Sequence, residues 1–264
     1  MVTVATTGSV LACAGVPISA LSLADAVSKV VWLAQAPLRT GIDVHLCNAY
    51  TLALADTDPD FHQLLQRSSM NLPDGMSVVW ANRVLHREQD PPRERVYGPD
   101  LFRGVFEAGQ DVGLKHYLLG STPQVLDALV ANLKVTYPRA DVVGAESPPF
   151  RELSAEERAA QRDRIEASGA EIVWVGLGTP KQDVECARLA GEIDTVFVAV
   201  GAAFDFVAGT TAQAPVWMQR SGLEWTHRLA TEPRRLWRRY LFGNARFVRA
   251  TLRQRPTLSE TPRG

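Results

Sequence analysis

Six short runs are apolar on both of their alternating faces, and they limit the possible folds more than any other feature of this chain. They are "IDVHLCN" (42–48), "SMNLPDG" (69–75), "KHYLLGS" (115–121), "ADVVGA" (140–145), "AEIVWVGLGTP" (170–180) and "DTVFVAVGAAFD" (194–205). A strand with no polar face must be covered on both sides, which is the situation of a strand inside a parallel sheet. Stretches of helical period separate the runs, at 22–36, 59–67, 76–86, 100–112, 122–136, 154–168 and 180–190. Ser154 and Glu157 have capping-box spacing, and Gly169 closes the same helix. This alternation predicts an α/β fold, a Rossmann-like parallel sheet with helices on both faces and right-handed crossovers.

The chain has 264 residues, enough to bury a sizeable core without disulfides. Cys13, Cys47 and Cys186 are odd in number and form no CxxC, so they read as reduced thiols of a cytosolic protein. The net charge of −1 conceals an asymmetry. From residue 217 to the end there are 11 arginines, no lysine and 3 glutamates, a charge of +8 on a body of −9. Arg228, Arg234, Arg235, Arg238 and Arg239 alternate there with Trp225, Leu229, Leu236, Trp237 and Tyr240. We therefore divide the chain into a core at 1–212, a basic helical C-terminal appendage at 213–252, and a tail at 253–264 expected to be disordered. A basic appendage on an acidic body calls for an anionic partner, or else is a helix packed on its own domain. No run approaches the roughly 18 apolar residues of a membrane span, so contact with a membrane is expected to be peripheral. The run "SVLACAGVPISALSLA" lacks a basic flank and contains Pro17, so it does not read as a signal peptide.

Ligands of open α/β sheets bind beyond the carboxyl ends of the strands. Three strand ends carry candidate groups: Asn48, Asp74-Gly75, and "GLGTPKQD" at 176–183. The last exposes backbone N–H groups around Gly178 and Thr179 before a helix, which suits an anion, though a plain strand-to-helix turn has the same pattern. Asp74 can serve as a general base or only make an Asp-Gly turn. Asn48 can bind a substrate or cap a helix. The proline-rich loop "QDPPRERVYGPD" (89–100) belongs to the same rim. The five histidines form no HxxxH or HExxH and no DXD follows a strand, so neither a metal nor a cofactor is expected. A nicotinamide enzyme would need a glycine fingerprint after the first strand, and "LCNAYTLA" has none.

Taken in order, "GVPISALSLADAV", "NLPDGMSVVWANR", "ERVYGPDLF", "VGLGTPKQD" and the segment from "AVGAAFDF" to "PRRLWRRY" resemble the WecG/TagA/CpsF glycosyltransferases over roughly residues 10–250. The resemblance implies a metal-independent, inverting transfer of a sugar from a UDP-sugar to a polyprenyl-diphosphate-linked saccharide in bacterial surface-polymer synthesis. It implies Asp74 as the base. Asn48, Arg95 and Gln182 match substrate-contacting positions, with Gly178 and Thr179 in the same loop. The appendage, with Arg228, Arg234 and Arg235, is implied to meet the anionic inner face of the cell membrane and close over the site. Two positions depart from the family pattern: Leu46 stands where many members have the threonine of T-x-N, and Asp183 where glutamate is commoner. The alternative is a nucleotide-sugar-binding scaffold of the same fold without turnover. Nucleic acid is not expected as a partner, because no recognition motif accompanies the basic charge. Self-association is expected if the apolar side of the appendage is exposed.

Overall fold

The computed structural model describes residues 9–253, with the side chains of 220, 235 and 238–241 excepted. It opens with a hairpin of β1 (Val10–Cys13) and β2 (Val16–Ser19), then α1 (Leu23–Gln35), β3 (Ile42–Cys47), α2 (Ala49–Ala55), α3 (Pro59–Arg67), β4 (Met70–Pro73) and α4 (Met76–Leu85). There follow α5 (Gly98–Gly109), β5 (Lys115–Gly120), α6 (Pro123–Thr136), β6 (Asp141–Glu146), α7 (Ala155–Ala167), β7 (Ile172–Gly176), α8 (Lys181–Ala190) and β8 (Val196–Ala199). The end is helical: α9 (Ala203–Val207), α10 (Val216–Arg220), α11 (Glu224–Thr231) and α12 (Pro233–Arg253).

Strands β3 to β8 form one six-stranded sheet in the order β4-β3-β8-β7-β5-β6, and every pair is parallel. Alternation along the strands supplies two cores. Ile172 and Trp174 of β7 and Val196 and Val198 of β8 face α1, α5, α6 and α9. Val173, Val175, Phe197 and Ala199 face the other way, towards α7 and α8. The sheet is thus covered on both faces, as the apolar runs require. Ser22, Thr122 and Ser154 cap α1, α6 and α7, the last through the expected capping box with Glu157.

Two features escape the sequence patterns. The hairpin was read only as an apolar run. Its turn residues Ala14 (φ 49°) and Gly15 (φ 80°) have the positive φ values that tight hairpin turns need, and Asn71 of β4 donates to Pro17 O at 2.9 Å. The second feature is α12, the far end of which is part of the body. Phe247 and Ala250 are buried with Leu52 and Ala53 of α2 and with Val16 and Ile18 of the hairpin. Gly243 of α12 faces Tyr50 of α2. Helix α12 runs to Arg253, and the tail beyond it, 254–264, lies outside the described residues.

Candidate active site

The strand order sets β4, β3, β8 and β7 side by side, so the turns after these four strands share one rim. Asp74 follows β4 immediately, and its N–H donates to Cys47 O at 2.9 Å. Its Oδ1 accepts from Gly98 N at 3.0 Å and its Oδ2 from Asn48 Nδ2 at 3.4 Å. Asn48 is also the N-cap of α2, where its Oδ1 accepts from Tyr50 N and Thr51 N. The two roles open to Asn48 in sequence are therefore combined: the capping oxygen orients the amide so that its N–H group points at Asp74.

Gly98 joins the two halves of the rim. A Cβ at this position would meet Val200 O at 3.2 Å and Leu46 Cδ1 at 2.9 Å. That carbonyl belongs to the peptide whose N–H, on Gly201, donates to Gln182 Oε1 at 2.9 Å. The same Oε1 accepts from Gly178 N at 3.0 Å, and Gln182 is only 3% exposed. Gln182 thus clamps the turns after β7 and β8 together. Its oxygen is already used by the backbone. Thr179 Oγ1 accepts from Gln182 Nε2 at 3.5 Å. Leu46, at the T-x-N position, is 5% exposed and packs in the main core.

Burial pushes the Asp74 carboxyl above its usual range; Arg95 and the Gly98 N–H pull it down, and Glu224 pushes it up again. Arg95 lies over Tyr97, its guanidinium carbon 3.9 Å from the ring centroid, and pairs with Glu224 Oε2 at 2.8 Å. The Tyr97 hydroxyl donates to Glu224 Oε1 at 2.8 Å. Arg93, Arg95 and Arg103 line a cleft of about 620 Å³ with Tyr97, Asp100 and Gln219. Arg103 donates to Asp100 and to Gln213. Arg93, Arg103 and Asp100 were not singled out in the sequence. The arginines at both ends of "RER" and the one a turn into α5 were the available signal.

Of the arginines expected to act from the appendage, the side chains of Arg228 and Arg234 are described. Arg228 is half-buried above Phe206, 5.6 Å from the ring centroid, and Arg234 is exposed at the start of α12. The side chain of Arg235 lies outside the described residues. From the appendage, Glu224 reaches Arg95 itself, and Gln213 and Gln219 line the same cleft.

Behind the rim, His45 of β3 sits between two carboxylates, Nε2 at 2.9 Å from Asp43 and Nδ1 at 3.0 Å from Asp183. Burial pulls the imidazole down, but its bonds to Asp183 and Asp43 outweigh that and raise it to about 9. Asp43 is likewise raised by burial but lowered further by His45 and Ser69, to about 2. Asp183, at a position where the resemblance suggested only a minor change, therefore anchors the first turn of α8, next to Gln182, to the central sheet. Cys13, Cys47 and Cys186 are buried free thiols.

Among the described residues, no helix is long and apolar enough to cross a membrane. The model for the Glycosyl transferase WecG/TagA/CpsF family matches residues 11–261.

Proposed function

Because this chain belongs to the Glycosyl transferase WecG/TagA/CpsF family, we propose that it transfers a sugar, with inversion, from a UDP-sugar to a saccharide on a polyprenyl diphosphate, for a bacterial surface polymer. The observation that carries this reading is the pairing at the rim. Among the described residues Asp74 pairs with no arginine; Gly98 N and Asn48 Nδ2 hold it, and the charge of Arg95, which lines the cleft, acts on it. A raised carboxyl is a stronger base than an ordinary aspartate. Asp74 takes the proton from the acceptor hydroxyl as its oxygen attacks the anomeric carbon. The bond from that carbon to the diphosphate oxygen breaks, and its electron pair leaves with UDP. Arg95, assisted from the rim by Arg93 and Arg103, offsets the charge that develops there; a guanidinium fork matches a diphosphate in geometry. Gln182 keeps the turns after β7 and β8 in register, with Gly178 and Thr179 next to the sugar.

The appendage carries the protein to the lipid-linked acceptor. Trp217, Trp225 and Trp237 are 64%, 39% and 42% exposed on a segment rich in arginine. Indoles favour the membrane interface, and arginines favour anionic headgroups. The site of action is then the cytoplasmic face of the membrane. The test is UDP release from a panel of UDP-sugars in the presence of a lipid-diphosphate saccharide. Release that depends on both substrates supports the reading. UDP-sugar binding without release under any pairing would favour the scaffold alternative.

A further inference from the structure

Helix α11 turns one carboxylate inward. Glu224 is 9% exposed, with Tyr97 OH and Arg95 Nη2 each 2.8 Å from one of its oxygens. Two residues earlier the chain closes on α4. Gly222 has φ +70°, and a Cβ there would meet the Trp80 indole at 2.5 Å. These contacts seat the start of α11 over the helix that follows Asp74. A buried carboxylate persists only with a cation beside it, and the cation here is Arg95. While the pair is made, Glu224 offsets the charge that Arg95 would present to another anion.

We propose that Glu224 is a stand-in anion: it occupies Arg95 while the donor is absent, is displaced by the donor's diphosphate, and returns as UDP leaves. The inference rests on reading Arg95 as a diphosphate-binding group. With Glu224 already paired to Arg95 at 2.8 Å, its carboxylate lowers affinity for any further anion at that guanidinium. The same repulsion speeds product release, because the carboxylate competes with UDP for a shared partner. The Tyr97 hydroxyl keeps Glu224 aimed at Arg95, and a tyrosine ring without that hydroxyl would hold it less firmly.

The probe is UDP, titrated by calorimetry into the full chain and into three variants whose melting temperatures are also measured. Glu224→Gln keeps the volume and can still accept from Tyr97, but has no charge. It should bind UDP about tenfold more tightly, and product inhibition by UDP should tighten in parallel. Tyr97→Phe should shift affinity the same way by less. Arg95→Met should weaken UDP binding by about tenfold. If Arg95→Met weakens binding but Glu224→Gln leaves it unchanged or weaker, the stand-in role is overturned and the donor reading stands. If Arg95→Met has no effect, the donor reading fails and this inference falls with it. Should Glu224→Gln not fold, Tyr97→Phe decides: tighter UDP binding supports the role, and equal or weaker binding overturns it.

Discussion

Asp74→Asn separates the chemistry of the carboxylate from its place in the fold. The two side chains have nearly the same shape, but they bond differently. Asp74 accepts from two donors, Gly98 N at 3.0 Å and Asn48 Nδ2 at 3.4 Å. An amide can accept from one of them and must turn its NH₂ towards the other. Asn48 cannot rotate to compensate, because its oxygen caps α2. The variant therefore keeps the shorter Gly98 bond and loses the longer contact, at a cost of about 1 kcal/mol. A second effect has the opposite sign. The folded pKa of Asp74 is raised above 3.8, chiefly by burial. Such a carboxyl favours the fold when protonated, and this stability is lost as pH rises from the unfolded value through the folded one. Asparagine removes that penalty of burying a carboxylate. The two effects offset each other, and the melting temperature should stay within about 3 °C of wild type. Turnover should fall by about 10²–10⁴-fold, while UDP affinity holds or improves slightly. The assay measures kcat, UDP affinity and melting temperature on one preparation. Turnover within about threefold of wild type would refute the base assignment and direct attention to Asp100, which lines the arginine-rich cleft. A fall in melting temperature by about 10 °C together with the loss of activity would make Asp74 a structural residue.

Stability should also follow the His45 cluster. With its pKa raised from 6.5 to about 9, His45 stabilises fully below pH 6.5 and loses that contribution as pH rises through about 9. Asp43, lowered from 3.8 to about 2, contributes above 3.8 and loses its effect as pH falls through about 2. Melting temperature against pH should therefore decline on the alkaline side, and His45→Gln should flatten that limb while lowering the plateau; an unchanged alkaline slope would count against a charged imidazole. Gln182→Ala strands the N–H groups of Gly178 and Gly201 and should cost about 2 kcal/mol, read by urea unfolding. Membrane binding is best tested by point changes, because truncation at 212 would remove Phe247 and Ala250 from the cluster they form with α2 and the hairpin. Trp217→Ala with Arg234→Gln should lower co-sedimentation with anionic vesicles, by about 1 kcal/mol for the arginine, and binding should weaken with salt; equal sedimentation of both proteins would argue against the appendage as anchor.

Some of this was decided by sequence alone. A parallel strand buried on both faces cannot hide its composition, so runs such as 172–176 and 196–199 specify both their own conformation and the layers that must cover them. Turn and cap residues act over three or four positions, so Asn48, Asp74 and the 178–182 turn could be placed at strand ends from spacing. Roles that depend on a distant partner could not be read this way. Glu224 lies 127 residues from Tyr97, and in sequence it is one acid in a basic stretch. Asp183 and His45 are 138 residues apart, and neither alone signals a charged pair. Gln182 carries the same letters whether it meets a sugar or two backbone N–H groups. The strand order β4-β3-β8-β7 brings the turn after β8 within reach of its oxygen. Apolar burial depends on composition and period, which a sequence displays directly; a polar group's role depends on which donor or acceptor the fold sets opposite it, and only the tertiary structure makes that pairing.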